Sequence, residues 1–62
     1  MTGQDEMVRR ARMRGYVSDD GRTFMAPADA GPMVASAAAE LALGGAVRFV
    51  GIRLGCPAYE RR

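Results

Sequence analysis

Apolar and polar positions change period four times along this chain, and each period predicts an element. Over residues 4–14, "QDEMVRRARMR", Met7, Val8 and Ala11 fall on one narrow stripe at a helical step of about 100° per residue. Asp5 and Glu6 open that helix and arginines crowd its end, the order the helix dipole favours. Gly15 follows as a C-terminal stop. Residues 15–27, "GYVSDDGRTFMAP", then read as a hairpin turning at Asp20-Gly21, a pair that tolerates the positive φ of a type I′ turn. That register sets Val17 opposite Phe24 and Tyr16 opposite Met25; a three-residue loop would slip it by one.

A second helix is expected from the cap candidate Asp29, with Pro32 in its first turn, through "MVASAAAELAL" to the stop at Gly44-Gly45. Met33, Val34, Ala37, Ala38 and Leu41 form its apolar stripe, which the pattern turns toward the core. Ala35 and Ala39 occupy the other side, where small residues let a partner backbone approach. Residues 46–54, "AVRFVGIRL", read as the longest strand. Strict alternation points Arg48, Val50, Ile52 and Leu54 one way and Val47, Phe49, Gly51 and Arg53 the other. Both faces carry apolar groups, so both need cover. The expected fold is α+β, in the order α-β-β-α-β, an antiparallel sheet with two helices. It forms one small domain over 1–62, with 1–3 and 56–62 irregular.

Size sharpens the picture. A chain of 62 residues buries only about 60% of the surface its unfolded form exposes. Leu, Ile, Val and Phe together number eleven, close to the level of disordered chains, but a net charge of +2 is too small for disorder. The expectation is a folded, thinly cored protein that self-associates or folds onto a partner, since its single cysteine excludes an internal disulfide. Met33, Leu41, Phe49 and Ile52 are then expected in the core or in a buried interface.

No leader is visible in the N-terminal "MTGQDEMVRR". The most apolar window, 33–52, contains Glu40 and Arg48, each costing about 2.5–3.5 kcal/mol at a bilayer centre. No membrane contact is expected, and the cytoplasm is the expected location.

Candidate chemistry is sparse. The chain has no histidine and no lysine, so the commonest general base and the Schiff-base amine are missing. Cys56 has no histidine to activate it and reads as a packed side chain. Asp19 and Asp20 are explained by turn chemistry, and the glycines match no phosphate-binding or dinucleotide fingerprint. No catalytic residue, metal site or cofactor is expected.

The arginines carry the remaining signal. Arg9, Arg10, Arg12 and Arg14 lie within six residues of one helix, and Arg22 sits at the hairpin tip. An arginine-bearing helix, then "RGYVSDDGRTF", then a helix start at "ADAGPMV" resembles the recognition helix, wing and following helix of winged helix-turn-helix regulators, over residues 8–42. The resemblance implies that Arg9, Arg10, Arg12 and Arg14 face a DNA groove and that Arg22 touches the backbone. Only one helix precedes the hairpin here, where that family has supporting helices. The leading expectation is therefore a small non-enzymatic protein acting through protein contacts, as an accessory, regulatory or assembly component. Ala35, Ala39, Val47, Phe49, Val50, Ile52 and Leu54 are its candidate partner interface. The alternative is a nucleic-acid-binding regulator using Arg9, Arg10, Arg12, Arg14 and Arg22.

Overall fold

The computed structural model describes residues 3–62, in the order α1 (Gly3–Arg14), β1 (Tyr16–Val17), β2 (Thr23–Met25), α2 (Pro32–Leu43), β3 (Val47–Arg53) and β4 (Cys56–Arg61). The strands form one antiparallel sheet in the order β1-β2-β4-β3, and the helices lie on one of its faces. The α+β class and the first five elements match the expectation. The sixth does not: the segment 56–62, expected to be irregular, supplies β4, which pairs with β2 on one side and β3 on the other. Pro57 hides this strand in the sequence, because a residue without an N–H argues against a central position. It is accommodated as the second residue after a tight turn, and its carbonyl accepts a hydrogen bond from the Ala26 N–H at 2.9 Å. Of the expected irregular segment 1–3, residues 1 and 2 lie outside the described residues and Gly3 begins α1.

The first hairpin has the expected register, Tyr16 opposite Met25 and Val17 opposite Phe24. Its turn is different. Ser18 and Thr23 are joined by a backbone bond of 2.9 Å, so the loop is the four residues 19–22. A type I′ turn needs positive φ at both central positions. Here Gly21 has φ 70° and Asp20 does not share it. The Asp20 side chain closes the loop instead, accepting from the Ser18 hydroxyl and, at 3.0 Å, from the Arg22 N–H.

Helix α2 starts later than its expected cap. Gly31 is the N-cap, without a side-chain bond, while the Asp29 carboxylate accepts from Arg14. The C-terminal stop is as expected, Gly44 in the left-handed conformation at φ 74°. The helix is rotated relative to its apolar stripe, of which Ala38 is in the core and Val34 packs against it. Ala35, Ala38, Ala39 and Leu43 face inward, while Met33 and Leu41 are exposed. The physical reason is crowding: α2 touches α1 as well as strands β2, β3 and β4. Three alanines on the inner face let both layers come close along most of the helix, and Leu43 is buried only at its last residue. Ala35 and Ala39 are therefore core residues and offer nothing to a partner.

The core is small. Phe24 and Tyr59 project from the sheet against Ala11, Ala35, Ala38, Ala39 and Leu43, with Val8, Val34 and Val47 around them. None of Met33, Leu41, Phe49 and Ile52 joins it. Among the described residues, no helix is long and apolar enough to cross a membrane.

Candidate functional site

Strand β3 is an edge strand, and an irregularity between Phe49 and Gly51 breaks its alternation. Before the break Phe49 stands opposite Tyr59; after it Ile52 stands opposite Pro57. Tyr59 and Pro57 are two residues apart on one strand and share a face, so Phe49 and Ile52 share it too. Strict alternation would have placed them on opposite faces. The extra residue of the bulge brings both onto the helix-bearing face, where both stay exposed beside Pro32 at the start of α2.

The result is an apolar groove of about 420 Å³ at the end of the sheet, floored by Tyr59 and Pro57 and walled by Phe49, Ile52, Ala28 and Pro32. Phe49 lies edge-on to Tyr59, with ring centroids 5.5 Å apart, yet remains 57% exposed; Ile52 is 64% exposed. Burial pushes the Tyr59 hydroxyl above its usual pKa of 10.0. The next residues, Leu54 and Gly55, form the β3–β4 turn, Arg53 pairing with Cys56 around them. Leu54 stands at φ 53°, the only non-glycine residue of positive φ among those described, and its side chain is 94% exposed. It is a turn residue, where strand periodicity places it within β3.

The seven candidate interface residues therefore divide. Phe49 and Ile52 line the groove, and Leu54 is exposed in the turn that follows them. Val50 is half-buried at the bulge, Val47 packs on the core, and Ala35 and Ala39 are inside it. Sequence pattern does not point to Tyr59, Pro57, Pro32 or Ala28, because the groove exists only once β4 is in the sheet.

The arginines do not converge as the helix pattern suggests. Arg10 pairs with Glu6 at 2.7 Å and Arg14 with Asp29 at 3.2 Å, both on the surface. Arg9 lines a surface groove with Asp5 and Glu40, so positive charge there is diluted. Arg12 is exposed. Arg22 is grouped with none of these; it shares a recess with Arg48, Glu60, Arg61 and Arg62. Cys56 is half-buried and unpaired, and no group of three potential metal ligands occurs among the described residues. No protein-family model, curated protein or solved structure matches this chain.

Proposed function

We propose that this chain is a non-enzymatic protein that works through protein contacts, as an accessory, regulatory or assembly component, and that the groove of Phe49, Ile52 and Tyr59 is its docking surface. The observation that carries the reading is the state of the β3–β4 turn. A leucine in the left-handed region costs about 1–2 kcal/mol, and a leucine in water gains nothing to offset it. Here such a residue stands in the turn two positions after Ile52, which with Phe49 lines an apolar groove and is itself exposed. Strain held at an exposed apolar tip is what a binding element looks like before its partner arrives.

The occupant we favour is a second copy, with the Leu54 tip of each chain against the groove of the other in a two-fold contact. Packing on this face is preferred to pairing along the β3 edge. The bulge distorts that edge and Arg48 and Arg53 flank it, both devices that discourage strand addition. The absence of histidine and lysine from the sequence supports the non-enzymatic half of the reading.

Sedimentation velocity over a dilution series, with circular dichroism alongside, tests this. The parent should pass from dimer to monomer on dilution, and Ile52→Arg should be monomeric throughout with an unchanged far-ultraviolet spectrum. A parent that sediments as a folded monomer at every concentration would overturn self-association.

A further inference from the structure

The recess at the opposite end of β3 has different chemistry. Thr23 pairs with Glu60 across β2 and β4, and one step further the Arg61 N–H donates to the Arg22 carbonyl at 2.9 Å. Arg22 and Arg61 are thus directly opposite each other on one face. On the other side of β4, Arg48 faces Glu60, and the Arg62 N–H donates to the Ala46 carbonyl at 3.0 Å. Three strands and two backbone ties hold four guanidinium groups around one open recess of about 480 Å³.

The single side-chain carboxylate lining it, Glu60, is engaged by Arg48 at 2.9 Å. Among the described residues, Arg22, Arg61 and Arg62 make no ion pair. The nearby Asp20 carboxylate is turned into its own loop, on the Ser18 hydroxyl and the Arg22 N–H. Like charges directly opposite on a sheet are destabilising. The fold therefore sets two guanidinium groups opposite each other, a repulsion that an anion between the two side chains would relieve. Guanidinium forks fit phosphate oxygens in a bidentate way that ammonium groups do not, and every basic residue here is arginine.

We propose that Arg22, Arg48, Arg61 and Arg62 form a binding site for phosphate groups, and that its ligand is a nucleic-acid backbone. The spread of the charges selects a backbone over an isolated phosphate. Alternation along β4 sends Arg61, with Arg22 opposite it, to one face of the sheet and Glu60, with Arg48 opposite it, to the other, so the charges wrap the end of the sheet over more than the width of one phosphate group. The site is distinct from the α1 arginines, and it lies at the far end of β3 from the apolar groove.

The test is fluorescence anisotropy with a short labelled oligonucleotide, single-stranded and duplex, titrated at several salt concentrations. The parent should bind at low salt, weakening steeply as salt rises. Arg22→Ala with Arg61→Ala should weaken binding at least about ten-fold and lower the salt slope by about one for each phosphate no longer neutralised. Its melting temperature should equal or exceed the parent's, because a repulsion is gone, and its sedimentation should be unchanged. Arg9→Ala with Arg12→Ala removes the same charge from α1 and should stay within about two-fold of the parent. Equal effects from both double variants would reduce the binding to net charge and overturn the site, as would a parent that does not bind at low salt. Displacement of the oligonucleotide by inorganic phosphate or a nucleoside triphosphate at the same phosphate concentration would overturn the assignment to a backbone.

Discussion

Phe24 and Phe49 belong to one row of side chains across the sheet, separated by Tyr59. Phe24 is enclosed by both layers, and Gly15 shows how tightly. A Cβ at Gly15 would fall 2.2 Å from the tip of the Phe24 ring and 2.9 Å from the Met25 carbonyl oxygen, so only glycine lets the chain pass. Phe24→Ala should cost about 3–5 kcal/mol, enough to unfold a domain this small. Phe49→Ala removes an exposed ring and one edge-to-face contact, worth about 0.5–1.5 kcal/mol, and should leave a cooperative thermal transition. Parallel urea melts check both; a Phe49→Ala chain unfolded in water would show that ring to be a core residue. Asp20 offers a pH test. The Ser18 hydroxyl, the Arg22 N–H and the Arg22 charge hold its carboxyl below the ordinary 3.8. A lowered folded pKa means that the contribution of the loop is complete above the unfolded value and disappears as pH falls through the folded one. Titration of the Asp20 carboxyl by NMR should therefore have its midpoint below 3.8, and Ser18→Ala should move it upward.

At the scale of elements, turns and helix faces decide what is exposed. The β3–β4 hairpin joins its strands through Leu54 and Gly55, both at positive φ, the pattern that favours Asn-Gly. Leu54→Asn should raise stability by about 0.5–1 kcal/mol by relieving the left-handed strain. The same change should weaken self-association, because the exposed apolar tip is removed. A melting temperature and a dilution series on one variant thus move in opposite directions, which a purely structural leucine would not produce. Helix α2 gives the complementary lesson, since Ala35, Ala38 and Ala39 face inward while Met33, among its bulkiest residues, is 74% exposed. The choice of inner face follows the number of neighbours to be approached more than the hydrophobicity of the stripe.

For the whole molecule, the last strand in sequence is a central strand in space. β4 separates the β1–β2 hairpin from β3, and Tyr59 on it supplies half of the aromatic core. No part of the sheet is complete until the end of the chain has been placed, so the fold rests on pairings distant in sequence. A chain cut after Gly55 leaves β2 and β3 without a common partner and Phe24 without Tyr59. It should lose its sheet altogether, read as an unfolded far-ultraviolet spectrum and a missing thermal transition. Retention of a cooperative transition would show that α1, the first hairpin and α2 form an independent core.

Local order was legible from residue pattern alone. The span of α1, the register of the first hairpin, the Gly44 stop of α2 and the extended character of 47–53 all follow from periods, turn residues and caps acting within about ten residues. The absence of histidine and lysine is equally a property of the sequence. What it did not determine was which sides of these elements meet. Val17 faces Phe24 for local reasons, but Ala35 and Ala39 lie inside because α2 has both α1 and the sheet to approach. Ile52 shares a face with Phe49 only through a bulge, and Arg22 meets Arg61 only because β4 lies beside β2. Both candidate sites contain residues from 56–62 joined to residues far upstream. Periodicity reports the geometry of one element, whereas a site between elements is decided by strand order and close packing, which act between residues with no local relation.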